Sequence, residues 1–322
     1  LDYSCVKGFC PSFVSVLNAV PKQRTAEDNI EILFEPLPAV SLPDLTRPWN
    51  TVVSGVGGTG VLTVTALIAM AAHIEKKGCA TLNQSGLAQK FGAVVSHVRI
   101  AQQQEDIKAV RVPAGEADLL LGCDLVVSTG YDTMGKTAIG RTHAIINDAA
   151  LPTAAFIHNP DAELPTATMR AHIEEQTGAT NVVFVNATEI AEQLLGDSLY
   201  VNLFLLGVAF QQGKIPVSAA ALEAAIELNG KSTAANQKAL LMGRRYAVWP
   251  DRVLAMLPSS GSEQADTPTI EALMDDRMQR LTRYQSARLA EHYRQEVEAV
   301  RAIDPHAEQA ESITRSVAEQ LY

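Results

Sequence analysis

Several features are scarce in this chain of 322 residues, and each scarcity excludes a class of protein. Lys and Arg number 26 against 36 Asp and Glu, giving a formal net charge of −10, and no stretch is rich in basic residues. Because nucleic-acid binding depends on clustered Lys and Arg, the sequence predicts no nucleic-acid partner. The longest weakly polar run, residues 61–74, is shorter than the ~20 residues of a membrane span, so no membrane partner is expected.

Cysteine and catalytic histidine patterns are also scarce. The four cysteines do not form the dense, even-numbered set of a secreted disulfide scaffold. No charged segment followed by an apolar segment and a cleavage site begins the chain, so a reducing, cytoplasmic location is expected. The absence of an H-E-x-x-H motif and of a Ser-His-Asp set gives no support to a zinc enzyme or a hydrolase.

What the sequence does contain is an alternation of short apolar strands and helical stretches from Thr51 onward. The strand patterns are "TVVSG", "CATLN", "AVVSHVRIA", "IKAVRVP", "DLVVSTG", "HAIINDAA", "AAFIH" and "NVVFVNAT", with the third and fourth predicted to pair antiparallel. This alternation predicts an α/β fold, a mostly parallel sheet with helices on both faces. Helical patterns then continue to residue 248, and Asn202, inside one of them, is expected to cap a neighbouring loop or face the crevice.

Composition divides the chain into five predicted parts. Residues 1–22 carry two cysteines and a proline with no preceding element, which is typical of the end of another domain. Residues 23–50 form a Pro-rich linker, extended and packed on a neighbour, and residues 51–258 form the α/β domain. Residues 259–267 are a polar linker, and 268–322 are a helical region that we expect to be cut short after two helices.

A glycine loop follows the first predicted strand in "TVVSGVGGTGVLTVTALI". Gly55, Gly57 and Gly60 match the G-x-G-x-x-G template, and Gly58 is an extra glycine. Glycine permits a sharp reversal of the chain and lets a phosphate or another backbone approach the amides at a helix N-terminus. The loop therefore fits anion binding, and it equally fits close packing of a helix on a strand.

A dinucleotide site makes a further demand, an acidic residue at the end of the second strand that binds the ribose. That strand ends in Asn83 and Gln84, and Glu75, at about the right count, is expected to be solvated in the last turn of the preceding helix. The sequence therefore favours a role without NAD, with NAD binding as the alternative.

The segment "NQSGLAQKFGAVVSHVRI" places polar residues after the second strand, where the crevice of an open α/β sheet lies. We expect Ser85, Gly86, Gln89, His97 and Arg99 to converge over the glycine loop. His97 and Arg99 share one face of a strand, and a planar guanidinium suits a carboxylate or a phosphate. We therefore expect this pair either to face an anion or to contact a neighbouring domain.

Together, "GVGGTG" and "SGLAQKFGAVVSHVRI" resemble the gamma domain of the 2-oxoacid:ferredoxin oxidoreductases. The pattern of that family is a glycine loop followed by G-x-A-Q-[RK]-G-G-x-V-x-S-H-x-R, and the resemblance covers residues 51 to about 258. Phe91 stands where the family has the first of its paired glycines. The flanking segments "SCVKGFCPSFV" and "LTRYQSARLAEHYRQEVEAVR" resemble those of the long single-chain indolepyruvate ferredoxin oxidoreductases.

This resemblance implies oxidative decarboxylation of an aryl 2-oxoacid on thiamine diphosphate, with electrons passed through [4Fe-4S] clusters to ferredoxin and the acyl group captured by coenzyme A. It implies that residues 1–22 end a thiamine/iron-sulfur domain and that this chain supplies a gamma domain, inactive alone, that docks on the thiamine unit. No catalytic residue is assigned. The implied coenzyme A site comprises Gly55, Gly57, Gly58, Gly60, Ser85, Gly86, Gln89, His97 and Arg99. A stand-alone NAD(P) oxidoreductase and a purely structural docking module are the alternatives.

The spacing of Cys5 and Cys10, followed by Pro11, is compatible with iron-sulfur ligation because ferredoxin ligands occur in short cysteine runs that end in proline. Two thiolates are too few for a cluster, so ligation requires further cysteines upstream. Ordinary reduced thiols are the alternative. Cys79 and Cys123 are predicted to be small core residues.

Overall fold

The structure is a computed structural model that describes residues 34–85, 92–149, 164–258, 269–307, 309 and 312–321. The chain divides between Leu257 and Pro258 into two compact units. No helix in these described ranges is long and apolar enough to cross a bilayer.

The described residues of the first unit form a six-stranded sheet in the order β2-β3-β1-β4-β5-β6. Five strands run in one direction, and β3 is antiparallel to its neighbours β1 and β2. The prediction of a mostly parallel α/β sheet is confirmed. The strands are β1 (Trp49–Val56), β2 (Gly78–Ser85), β3 (Ala93–Ala101), β4 (Leu119–Gly122), β5 (His143–Asn147) and β6 (Val182–Val185).

Helices cover both faces of this sheet, as predicted. On one face α1 packs on β2 and β3 while α6 packs on β5, and on the other face α2 contacts α4. Each face has its own apolar core, centred on Ile68 and Phe204 in the first case and on Leu125 and Ile146 in the second. The helices are α1 (Val61–Ile74), α2 (Leu125–Ser128), α3 (Tyr131–Met134), α4 (Thr166–Thr177), α5 (Ala187–Ile190), α6 (Val201–Gln211), α7 (Ala219–Asn229), α8 (Thr233–Val248) and α9 (Pro250–Leu254).

Two strand predictions are wrong, and a third lies outside the described residues. Residues 107–113 form no strand, because the backbone there bonds to side chains of β3, with the Ala109 carbonyl accepting from Arg99. The run "DLVVSTG" is the short helix α2, because Asp124 caps it by accepting from the Val127 amide at 2.9 Å. The preceding residues form strand β4 instead. The segment "AAFIH" lies among the residues that the structure does not describe.

The described part of the Pro-rich segment, residues 34–48, has no helix or strand and packs on the helices of its own unit. The Pro38 carbonyl accepts from Gln211 Nε2 at 2.9 Å. Arg245 lies over the ring of Phe34, 4.8 Å from its centroid. These contacts hold the segment along α6 and α8.

The described residues of the second unit form three helices rather than the two expected, α10 (Ile270–Tyr284), α11 (Ala287–Arg301) and α12 (Ile313–Gln320). The apolar period looks continuous through residue 300, but Ser286 interrupts it by capping α11 through the Leu289 amide. The helices share a small core in which the Tyr293 hydroxyl donates to the Ala318 carbonyl at 2.6 Å.

Candidate functional site

The glycine loop connects β1 to α1 by a tight turn. Gly58 and Gly60 have φ values of 91° and 95°, a region that favours glycine. The Thr59 hydroxyl closes the turn by donating to the Val56 carbonyl at 2.7 Å. The backbone therefore reverses over four residues and enters α1 at Val61.

Gly55, Gly57 and Gly58 have different roles in the loop. A Cβ on Gly55 would lie 2.7 Å from Val61 Cγ2, so this glycine lets α1 pack close to the strand. Gly57 donates its amide to the Gly92 carbonyl at 2.8 Å. At Gly58 a Cβ would meet nothing within 4 Å. Only around Gly58 does the loop combine glycine geometry with open space.

Asn202 in α6 braces this loop from the core side. Its side chain, 2 % exposed, donates from Nδ2 to the Thr59 carbonyl at 2.8 Å. The expectation that this buried amide caps a neighbouring loop is confirmed. Removing it would take this donor from the Thr59 carbonyl and loosen the turn.

The amides at the start of α1 remain available. Among the described residues, no acceptor is found for the amides of Gly58, Gly60, Val61 and Leu62. Gly58 and Leu62 are exposed. Because unpaired amides at a helix N-terminus carry partial positive charge, an anion is stabilised there.

His97 and Arg99 do not converge over this loop, and that expectation is wrong. In the β1–β3 ladder Gly55 pairs with Val94, whereas Arg99 pairs with Asn50. Five residues of strand separate the two positions, roughly 16 Å. The physical reason is that β3 runs antiparallel to β1, so each step along β3 carries its side chains away from the loop.

His97 is instead a buried structural residue of β3. Its Nδ1 accepts from the Val112 amide at 3.4 Å, which leaves Nε2 to donate to Gln84 Oε1 at 3.2 Å. Burial, together with the nearby charges of Lys136 and Arg111, lowers the pKa of His97 from 6.5 to about 4. The imidazole is therefore neutral near pH 7.

The buried neutral state of His97 predicts a pH dependence of stability. Because the folded pKa is lowered, the unfolded chain binds the proton more readily between pH 4 and 6.5. The free energy of unfolding is thus expected to fall by about 3 kcal/mol as pH drops through that window. Urea unfolding across this pH range measures the slope. His97→Gln is expected to flatten it, and the exposed His73→Gln control to leave it unchanged; equal slopes in all three proteins would contradict the assignment.

Arg99 belongs to a polar network at the end of the sheet opposite the glycine loop. Its Nε donates to Asn50 Oδ1 at 2.8 Å and Nη1 donates to the Ala109 carbonyl at 2.7 Å. The backbone amide of Asn50 in turn donates to the buried carboxylate of Asp118 at 2.9 Å. Asp118 also accepts two bonds from Arg47 and one from Arg141. This network joins the Pro-rich segment to the sheet.

Polar side chains at the carboxyl ends of β1 and β5 bond to groups that follow β4 and β6. Ser54 and Ser128 hydroxyls lie 3.0 Å apart. Asn147 donates to the Cys123 carbonyl at 3.1 Å and to Thr188 Oγ1 at 2.9 Å. Sequence reasoning missed these residues and Asp118, although a polar residue directly after the apolar run "HAII" is a usable signal for Asn147.

Most of the remaining predicted site residues lie outside the described part of the chain. Ser85 is the last residue of β2, while Gly86, Gln89, Phe91, Cys5 and Cys10 lie outside the described residues. In the ranges that are described, no group of three or more His, Cys, Asp or Glu could hold a metal. Cys79 is partly buried and Cys123 is buried, as predicted for core residues.

Sheet order argues against a dinucleotide site. In a Rossmann fold the strand after the first helix lies beside the first strand, which brings its acidic residue to the ribose. Here β3 intervenes between β1 and β2. Glu75 is not simply solvated, since it pairs with Lys77 at 2.7 Å and accepts from the Ser218 amide.

Comparisons with known proteins agree with the resemblance seen in the motifs. A family model described as pyruvate ferredoxin/flavodoxin oxidoreductase matches residues 50–246, and one described as a family of unknown function, DUF6537, matches 270–322. Indolepyruvate oxidoreductase subunit IorB of Archaeoglobus fulgidus is 31% identical over 205 residues, which are 62% of this chain and 95% of that protein. The subunit of the same name from Thermococcus kodakarensis is 26% identical over 204 residues, 62% of this chain and 96% of that protein.

Among solved structures, pyruvate oxidoreductase subunit PORC of Thermotoga maritima matches with a TM-score of 0.44 and 18% identity over 62% of this chain and 96% of that one. The resemblance to a gamma domain, first drawn from the glycine loop and the "SHVR" strand, is confirmed by the family model and the IorB relatives. Since the family model matches well over half of the sequence, this chain belongs to the pyruvate ferredoxin/flavodoxin oxidoreductase family.

Proposed function

We propose that this chain supplies the gamma domain of an indolepyruvate-type 2-oxoacid:ferredoxin oxidoreductase and docks on the unit that binds thiamine diphosphate. Its family and the IorB subunits with which it shares 31% and 26% identity support this assignment. The complete enzyme oxidatively decarboxylates an aryl 2-oxoacid and passes the electrons to ferredoxin. In the proposal, residues 1–22 end a thiamine/iron-sulfur domain, 51–258 form the docking domain, and 23–50 and 259–267 are linkers before the helical region 268–322.

Thiamine diphosphate and the iron-sulfur clusters are assigned to other parts of the enzyme. The described residues contain no cysteine cluster that fits an iron-sulfur centre, and the sequence has no thiamine-binding segment. The chain alone is therefore proposed to be inactive. Ligation by Cys5 and Cys10 stays a prediction.

The glycine loop is proposed to bind the phosphate groups of coenzyme A. The single observation that carries this assignment is the open turn at Gly58, where no neighbour lies within 4 Å of an added Cβ and where the described residues offer no acceptor to the amides of Gly58, Gly60, Val61 and Leu62. Such amides match phosphate oxygens in geometry and charge. Coenzyme A supplies the thiol that accepts the acyl group, and this chain's loop holds and orients its charged end. His97 and Arg99 shape the sheet on which the loop stands.

A carboxylate placed over the loop amides tests this assignment. Gly58→Asp is expected to weaken coenzyme A binding to the complete enzyme at least tenfold, about 1.4 kcal/mol, because like charges then meet at the turn. Calorimetric titration of the enzyme with coenzyme A measures the change.

Gly140→Asp is the matched control, because Gly140 also has a positive φ, 75°, and open space around an added Cβ. Equal affinities in Gly58→Asp and Gly140→Asp would refute the phosphate site. That result would favour a docking module without a ligand. The Ser54–Ser128 contact and the bonds from Asn147 to Cys123 and Thr188 support this second candidate, because these polar groups bond within the domain.

A further inference from the structure

Lys214 and His143 meet at the end of the sheet opposite the glycine loop. His143 is the first residue of β5, which runs parallel to β1 through β4, whereas the loop follows the end of β1. Lys214 follows α6, in a turn that its amide closes by donating to the Ala209 carbonyl at 2.9 Å. Its Nζ lies 3.1 Å from His143 Nε2. An amine and an imidazole are thus in direct contact, away from the proposed coenzyme A site.

No carboxylate pairs with Lys214 among the described residues, where His143 is the side chain that its Nζ contacts. Lys77 has a different environment, since its Nζ lies 2.7 Å from Glu75 Oε2 and 2.7 Å from the Pro216 carbonyl. A carboxylate keeps an amine protonated because it favours the charged form. A neutral imidazole does not, so the described surroundings of Lys214 leave its free-amine form unsuppressed.

The charge states of this pair follow from burial. Partial burial lowers the pKa of the Lys214 amine. Burial, followed by the positive charge of Lys214, lowers the pKa of His143, and the nearby carboxylate of Asp118 raises it by less. The ring is therefore neutral near pH 7, and its Nε2 accepts a hydrogen bond from the ammonium. Loss of a proton from Lys214 leaves a free amine beside a proton acceptor, as in an activated lysine nucleophile.

Lys214 is accessible, and its backbone is held in place. The residue is partly exposed. A Cβ on the preceding Gly213 would lie 2.6 Å from the Ser41 carbonyl oxygen, so the Pro-rich segment packs directly against the turn that carries Lys214. A fixed backbone and a hydrogen-bonded Nζ restrict the positions of the amine, and a positioned nucleophile reacts faster than a freely rotating one.

We propose that Lys214 is a site of acylation by acyl thioesters, with His143 as its proton acceptor. The free amine attacks the thioester carbonyl carbon, an N–C bond forms and the C–S bond breaks. His143 Nε2 takes the proton that the nitrogen loses and gives it to the departing thiolate. The products are an amide on Lys214 and a free thiol. This modification goes beyond the proposed function, whose product, an acyl-coenzyme A, belongs to the same class of thioester.

Incubation of the full chain with acetyl-coenzyme A tests this proposal. Peptide mass spectrometry follows the acetylation of each lysine with time. Lys214 is expected to react at least about tenfold faster than Lys77, whose carboxylate partner keeps it charged. It is also expected to react faster than Lys231, which is exposed. This comparison needs no variant. Acetylation of Lys214 no faster than that of Lys231 overturns the proposal.

His143→Gln separates proton transfer from simple exposure of the amine. Glutamine can accept a hydrogen bond but cannot take the proton, so acetylation of Lys214 is expected to slow at least about tenfold while Lys77 and Lys231 react as before. His73→Gln is the matched control, because His73 is exposed on α1. Circular dichroism checks that both variants fold. An unchanged rate at Lys214 in a folded His143→Gln chain contradicts the role of His143.

A second thioester separates this site from the glycine loop. S-acetyl-N-acetylcysteamine carries the thioester without the nucleotide, and the same preference for Lys214 is expected with it. A preference seen with acetyl-coenzyme A alone would mean that nucleotide binding selects the lysine, and it would overturn the proposal. Because the thioester is added to the chain, the result does not depend on oxidation of a 2-oxoacid by the complete enzyme. Failure here would therefore leave the proposed function standing.

Discussion

Replacing Gly243 by alanine is expected to destabilise the first unit by about 3 kcal/mol or more, because no space for a methyl group exists there. Gly243 in α8 faces Gly207 in α6, and a Cβ on Gly243 would overlap the carbonyl oxygen of Phe204. A Cβ on Gly207 would overlap the Leu240 carbonyl in the same way. Since both neighbours are backbone atoms of a helix, relief requires the two helices to separate.

Urea unfolding of Gly243→Ala against the wild-type chain measures this loss. Gly230→Ala is the matched control, because Gly230 has a positive φ of 66° but no atom within 4 Å of an added Cβ. That substitution is expected to cost about 1 kcal/mol from backbone strain alone. Equal losses in the two variants would show that the helices adjust without cost and that the close crossing contributes nothing.

This helix crossing also bears on the candidate site. Asn202 lies one and a half turns before Gly207 in α6 and donates to the Thr59 carbonyl in the glycine loop. Forcing α6 away from α8 therefore displaces the donor that braces the turn. The close packing of Gly207 on Gly243 therefore helps to keep Asn202, and with it the glycine loop, in position.

The strands of the sheet could be predicted where the local pattern agrees with the tertiary environment. "TVVSG" and "HAIIN" are buried on both faces, and an apolar run bounded by turn residues indicates such a strand. The strand prediction for "DLVVSTG" was wrong because Asp124 caps a short helix there, although the residues that follow it include β-branched ones that favour a strand.

The candidate site was only half predictable. The glycine template identifies a turn from four residues that are close in sequence, and the structure forms that turn. The placement of Arg99 depends on the direction of β3, which no local pattern reports. Because β3 is antiparallel to β1, Arg99 lies beside Asn50 at the start of β1, whereas the loop follows the end of β1.

Replacing Asp118 by asparagine is expected to cost about 2–3 kcal/mol, since it removes a buried carboxylate that pairs with two guanidinium groups. The Asp118 side chain is 2% exposed and lies 2.7 Å from Arg47 and 3.0 Å from Arg141. Arg47 is 53% exposed and Arg141 30% exposed, so both can partly rehydrate, which places the loss below that of a fully buried pair. Urea unfolding measures it.

Asp148→Asn is the control, because Asp148 is 30% exposed and forms a single ion pair within the described residues, with Arg170 at 2.7 Å. A partly exposed single pair is expected to contribute at most about 1 kcal/mol. A second readout separates a local effect from a global one. Arg47 ties the Pro-rich segment 34–48 to the sheet, so limited proteolysis of Asp118→Asn should cleave that segment faster while Asp148→Asn behaves as wild type. Unchanged cleavage in both variants would mean that the Phe34 and Pro38 contacts hold the segment without the ion pair, and the tie between linker and sheet would then be apolar.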